Sequence, residues 1–187
     1  VACYLWRTPT SMGDCDTKLQ RREPEAATCG YDGKLRPFRR FWYPIWTDHI
    51  YTPLDSDRDS YLAMGSSVMK YEGDVGFIGD VGPYDKQCNR LVALHRVFWR
   101  DGKDHFYTTN VSEFHQLKVG PTGGDKLSYF NDAFNYERIE GYCTSEKACG
   151  ATLPLYRFYS KDHKDHLYTT SEEERATLLK GNFYEDQ

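Results

Sequence analysis

Three Asp-His pairs carry the residues most able to do chemistry: Asp48-His49, Asp104-His105 and Asp165-His166. Each lies in a repeated phrase, TDHIYTP at 47–53, KDHFYTT at 103–109 and KDHLYTT at 164–170, and an arginine (Arg40, Arg96, Arg157) stands 8 residues before each aspartate. Carboxylate, imidazole and guanidinium are planar donors and acceptors able to hold vicinal hydroxyls. Trp42, Trp46, Trp99 and Tyr159 lie near them in sequence and offer flat apolar faces for a sugar ring. Such a set fits carbohydrate recognition, with up to three related sites, one per phrase. Several weak sites on one rigid body gain by avidity on a glycan-coated surface. The same residues also suit a structural joint, in which Arg and Asp form a bidentate pair between strands, His bonds a turn carbonyl and Thr caps the next segment. Exposure separates the two readings. A sugar needs Asp and His open beside an aromatic face, whereas aspartates buried against the arginines are lost as ligands.

Other chemistry fits less well. Adjacent Asp and His in a strand point to opposite faces and form no acid-base dyad within one phrase. The chain shows no nucleophile elbow and no HExxH, so it reads as a binding protein rather than an enzyme, with a hydrolase of unknown type third. If His49, His105 and His166 met on an axis, they would offer three imidazoles to a metal, although a repeat places them as readily at a rim. Asp55, Asp57 and Asp59 mimic the start of a calcium loop, but Ser60 stands where Gly is needed and Ser66 where Glu is needed. No cofactor is expected, calcium being the nearest candidate. Gly73, Gly76, Gly79 and Gly82 recur every third residue with no Gly-Lys-Ser/Thr after them, which fits a bulged strand rather than a phosphate loop. Asn110-Val111-Ser112 is a glycosylation sequon that also aligns with a helix cap.

The phrases are parts of a threefold repeat. Aromatic, strand-like runs precede them (FRRFWYP from Phe38, LHRVFWR from Leu94, LYRFYSK from Leu155), and Tyr-Glu pairs come after them (Tyr71-Glu72, Tyr136-Glu137, Tyr184-Glu185). Each unit reads as strand, turn, strand, short helix and strand. Ser171 with Glu174 forms a capping box, Asn110 and Glu113 sit at the matching places, and Asp55 is the expected cap in the first copy. Copies one and two continue into GFIGDV and GYCTS, while copy three has no such piece. The N-terminal VACYLW, with Ala2-Cys3 aligned on Tyr142-Cys143, is the expected closing strand. The expected architecture is one domain over 1–187, mainly β with short helices. It is a pseudo-threefold repeat, β-trefoil-like or a small propeller-like ring, closed by that strand. Its parts are 1–33 (closing strand and a disulfide-tied excursion), 34–87, 88–148 and 149–187.

Six cysteines without zinc or redox spacing favour disulfides and an oxidising compartment. Cys29, Cys88 and Cys149 each precede a unit. If Cys3 mimics Cys143, the pairing is Cys143–Cys149, Cys3–Cys29 and Cys15–Cys88. The first residues show neither an initiator Met nor a signal pattern, so a processed, secreted, mature form is expected. No apolar run reaches the length of a membrane span. A net charge of −4 with scattered Lys and Arg gives no basic stripe for nucleic acid, while 16% aromatic residues suit a β-rich binding surface. The expected partners are glycans or glycoproteins, met by a monomer or weak homo-oligomer. The alternative is an extracellular-matrix protein-interaction domain.

The stretch LYRFYSKDHKDHLYTTSEEERATLLKGNFYED resembles a repeat module of secreted microbial and invertebrate proteins, usually in about three tandem copies. Its pattern is Leu-Tyr-Arg-aromatic, Asp-His-aromatic-Tyr-Thr, short helix, Tyr-Glu-Gly. The resemblance covers residues 35–187, most closely in copies two and three. It implies secretion and repeat architecture and no particular reaction. Copy one departs at Trp46-Thr47 and Pro53.

Overall fold

In a computed structural model the chain is described over residues 3–8, 34–80, 91–113, 130–131, 133–181 and 184–187. The fold is mainly β with short helices. Each copy forms a three-stranded unit with its aromatic-Arg run in the middle. In copy one β2 (Leu35–Tyr43) lies between β3 (Asp48–Thr52) and β4 (Lys70–Gly79). Copy two places β5 (Leu91–Trp99) between β6 (Asp104–Thr108) and β8 (Phe134–Thr144), the last also pairing with the short β7 (Phe130–Asn131). Copy three places β10 (Tyr156–Ser160) between β11 (Asp165–Thr169) and β12 (Glu185–Asp186). Among the described residues the larger sheet runs in the order β3-β2-β4-β1-β8-β5-β6 and stays open at its ends.

A four-residue turn joins each arginine strand to its Asp-His strand. The residue before each aspartate is left-handed, with φ of 55° at Thr47, 56° at Lys103 and 53° at Lys164. That conformation is uncommon for a side-chain-bearing residue, yet it recurs in every copy at the step that leads the chain into the aspartate. The returning strands are short, and β3 and β6 are buried at every position. A strand covered on both faces needs a neighbour on each side, and here the other copies supply it. Phe38, Leu94 and Leu155, each two residues before its arginine, pack with Tyr51, Tyr107 and Tyr168 into the main core. Burying such side chains stabilises the fold by roughly 1.5–3 kcal/mol apiece.

The N-terminal strand β1 (Tyr4–Trp6) touches all three copies. It pairs with β4, with β8 and with β9 (Ala151–Pro154), the strand that leads into β10. Its pairing with β9 repeats the way the end of β8 meets the start of β5, but two residues off the expected alignment. Tyr4 faces Pro154 as Tyr142 faces Ala93, so Tyr4-Leu5, not Ala2-Cys3, corresponds to Tyr142-Cys143. Leu5 thereby enters the core with no exposure.

The slip also corrects the disulfides. Because β1 runs beside β8, with Tyr4 opposite Thr144, Cys3 lies against Cys143 and is bonded to it at a Cα separation of 5.5 Å. Neither Cys143–Cys149 nor Cys3–Cys29 is therefore formed. Cys149 is disulfide-bonded as well, to neither Cys3 nor Cys143. The expected Cys15–Cys88 pair lies outside the described residues.

The helix caps differ from expectation in one copy. The helix Asp55–Ala63 has Leu54 at its N-cap and no side-chain cap from Asp55. Thr52 Oγ accepts the Leu54 amide at 3.1 Å, Thr108 accepts the Asn110 amide and Thr169 the Ser171 amide, both at 3.0 Å. The threonine directly after the tyrosine of the phrase is thus a turn-former in every copy. Asn110 accepts the Ser112 and Glu113 amides, and Ser171 accepts the Glu174 amide before the helix Glu172–Gly181, as their cap positions require. Gly73, Gly76 and Gly79 lie in β4, whose pairing with β2 shifts register at two places, so the glycine run is a bulged strand.

Candidate functional site

The aspartates of the three phrases converge. Each is fully buried, and each carboxylate accepts both the backbone N–H and the Nδ1 of a histidine from another copy. Asp48 takes His105 at 2.9 and 2.6 Å. Asp104 takes His166 at 2.9 and 2.5 Å, and Asp165 takes His49 at 2.9 and 2.7 Å. The order is cyclic, copy one holding two, two holding three and three holding one. Oxygens of the three carboxylates lie within 4.8 Å of one another. Such crowding stays tolerable because each charge faces an imidazole and an amide.

Beneath this lock the tyrosines form a second cycle. The Tyr51 amide donates to the Tyr107 hydroxyl, the Tyr107 amide to the Tyr168 hydroxyl and the Tyr168 amide to the Tyr51 hydroxyl, each at 2.8 Å. Each hydroxyl donates in turn to a main-chain carbonyl of the tyrosine it serves. The rings meet edge to face at 5.4 Å. Burial holds all three phenols above their ordinary range.

Two expectations are corrected here. The arginines do not pair with the aspartates, and the buried Asp48, Asp104 and Asp165 have no face open to a sugar. The carboxylates rather than the imidazoles converge, so His49, His105 and His166 do not assemble the three-imidazole metal centre. Both oxygens of each aspartate are already taken by a neighbouring histidine.

The arginines instead meet glutamates. Arg40 reaches Glu174 of copy three at 2.9 Å and Arg157 reaches Glu113 of copy two at 3.1 Å, while Arg96 lies 3.8 Å from Asp57 of copy one. The direction matches that of the histidines: every copy extends its Arg and His toward acids of the copy before it. In copies one and two a further glutamate bridges the pair. Glu72 lies 3.1 Å from Arg40 and 3.5 Å from His49 Nε2; Glu137 lies 2.5 Å from Arg96 and 3.5 Å from His105 Nε2. Burial pulls the His49 imidazole down, but its hydrogen bonds to Asp165 and Glu72 outweigh this and hold it up at about 9. The same bond from His49 carries Glu72 down to about 2.

Copy three departs from this pattern. Asp186 pairs with Phe158 where Tyr71 pairs with Phe41 and Tyr136 with Val97. The next residue, Gln187, donates its amide to the Arg157 carbonyl and so stands where Glu72 and Glu137 stand. Tyr184-Glu185 is therefore not the structural counterpart of the other Tyr-Glu pairs. Tyr184 instead donates its hydroxyl to Asp165 at 2.8 Å, and Glu185 pairs with Lys161 at 2.7 Å. Among the described residues Arg157 Nε is buried with no hydrogen-bond partner, as are Arg40 Nε and Arg96 Nη1, but it has no carboxylate beside it in the place of Glu72 or Glu137.

Arg157 and His166 line a cleft of about 450 Å³ between copies two and three. Its walls are aromatic. Trp99 stacks on Phe134 at 6.1 Å, Tyr159 covers His166 at 4.6 Å, and the Arg157 guanidinium lies over Phe106 at 4.9 Å. Glu113 and Gln187 complete the lining, with Asp104 at its base behind His166 and without solvent exposure. Trp99 is held flat by Gly102, where an added Cβ would fall 2.1 Å from the indole. The other aromatics named from the sequence are engaged elsewhere: Trp42 packs on His49 at 4.5 Å and Trp46 stacks on Phe98 at 5.6 Å. Sequence reasoning missed Phe106, Glu113, Phe134 and Gln187 as cleft residues. No sequence signal marked Gln187, because the Tyr-Glu pattern put Glu185 at this position and only the register of β12 moves it to Gln187.

The chain belongs to the family described as Domain of unknown function (DUF5648), whose model matches residues 22–123 and again 122–187. No curated protein and no solved structure matches the chain.

Proposed function

We propose that the protein is a lectin-like, carbohydrate-binding protein whose principal sugar site is the cleft between copies two and three. The observation that carries this reading is the lining of that cleft: flat faces from Trp99, Phe134 and Tyr159 around the polar group of Arg157, His166, Glu113 and Gln187. A pyranose has an apolar face and an equatorial belt of hydroxyls, and this combination addresses both. Of the three sites expected from the phrases, one offers its Arg and His to a ligand, because Glu72 and Glu137 occupy the corresponding groups in copies one and two. Asp104 acts indirectly by fixing the His166 ring through Nδ1, which leaves Nε2 for the cleft.

The cyclic exchanges of histidine and tyrosine support reading the three units as a ring, trefoil-like or propeller-like, with β1 completing copy three. The Cys3–Cys143 bond suits a secreted protein. Among the described residues no helix is long and apolar enough to cross a membrane. Binding of the wild-type protein and of Trp99→Ala to a glycan array tests the site. At least one glycan class is retained by the wild type and lost, by about tenfold or more, in Trp99→Ala. Silence of the wild type across the array defeats the reading, and undiminished binding by Trp99→Ala moves the site elsewhere.

A further inference from the structure

We infer that the cleft selects a carboxylated sugar, such as a uronic acid, whose carboxylate takes the place that Glu72 and Glu137 fill in the other two copies. This inference rests on the sugar-binding reading above and names the class of sugar. Copies one and two are templates for what an arginine and a histidine of this geometry hold. In copy one a single carboxylate oxygen of Glu72 lies 3.1 Å from Arg40 Nε and 3.5 Å from His49 Nε2. In copy two Glu137 Oε2 lies 2.5 Å from Arg96 Nε and 3.5 Å from His105 Nε2. Copy three retains the rest of this arrangement: His166 anchored on Asp104, and Arg157 Nη1 on Glu113 at 3.1 Å. The side chain at the bridging position is the neutral amide of Gln187, and among the described residues Arg157 Nε, buried like Arg40 Nε without a hydrogen-bond partner, lacks the neighbouring carboxylate that Glu72 gives Arg40.

The charges support the same conclusion. In copy one, three carboxylates (Asp165, Glu72, Glu174) surround one guanidinium and one imidazole. In copy three, two side-chain carboxylates (Asp104, Glu113) face the same pair among the described residues. An acidic ligand restores the composition of copy one and places a carboxylate beside Arg157 Nε, as Glu72 lies beside Arg40 Nε. The aromatic walls and the cleft volume leave room for the ring that carries the acid, with the ring face against Trp99 or Tyr159. A guanidinium-carboxylate contact of this kind is stronger than a neutral hydrogen bond.

The test is calorimetric titration of the intact chain with glucuronic- and galacturonic-acid oligosaccharides, with their neutral glucose and galactose counterparts, and with acetate. The acidic sugars are expected to bind about tenfold or more tightly than the neutral ones. Gln187→Glu, which supplies an internal carboxylate, loses that preference, and Gln187→Ala retains it. Equal binding of acidic and neutral sugars overturns the inference and leaves sugar binding standing. Acidic-sugar binding undiminished in Gln187→Glu overturns it as well. Acetate binding as tightly as the uronic acids keeps the anion site and removes the sugar, and no binding of any probe removes both. Unchanged thermal unfolding of the two variants shows that each is folded.

Discussion

His49 sits between Asp165 at 2.7 Å and Glu72 at 3.5 Å and is buried from water. Its proton is held to about 9, against 6.5 for a free imidazole. The folded-state value is the higher one, so this group's contribution to stability is complete below pH ~6.5 and is lost as pH rises through 9. Urea denaturation of the wild type is expected to weaken by a few kcal/mol at most between pH 6 and pH 9.5. His49→Gln abolishes this loss and is less stable at pH 6; an identical pH dependence in the variant refutes the assignment. The residue types were legible in the sequence, since Arg, Asp, His, Tyr and Thr recur in all three copies. Their partners were not. Spacing within a copy cannot say whether an aspartate meets the arginine of its own unit or the histidine of the next, because that histidine lies 57, 62 or 116 residues away in sequence.

At the scale of elements, the turn Arg100–Lys103 connects the phrase to the cleft. Gly102 has room for no Cβ beneath Trp99, and Lys103 beside it takes the left-handed conformation that starts β6. Gly102→Ala is expected to turn the indole out of the cleft, weakening glycan binding by about tenfold with a stability loss of about 1–3 kcal/mol. Tryptophan fluorescence and titration measure both, and unchanged binding with a folded protein shows that Trp99 does not form the wall. The hairpins, the short helices and the bulged β4 could be read from apolar patterning, capping residues and glycine spacing. The registers of β1 and β12 could not. Each differs from expectation by two residues, and a slip of two leaves every side chain on the same face of the sheet, so alternation is blind to it. Both errors had chemical consequences, one for the disulfides and the other for Gln187.

At the scale of the whole molecule, three copies are joined by two closed circuits, one of Asp and His and one of Tyr. In a closed circuit each break relaxes the remaining contacts, so losses do not add. Tyr51→Phe and Tyr168→Phe are each expected to cost about 1–3 kcal/mol by leaving a buried amide or carbonyl unpaired. Their combination costs less than the sum by about 0.5 kcal/mol or more in a double-mutant cycle. Strict additivity shows that the tyrosines act as independent contacts. The sequence made the threefold repeat plain, because duplicated phrases at fixed spacing need no structure to be seen. It was silent on the direction in which each copy reaches.

That direction bears on how such a protein can change. Each copy lends its arginine and histidine to acids of the copy before it, so an alteration at those places disturbs two units and demands an answering change in a neighbour. The bridging position filled by Glu72, Glu137 and Gln187 answers only to its own unit. Novelty can enter there one residue at a time, and a duplicated architectural joint acquires a new specificity without losing its frame.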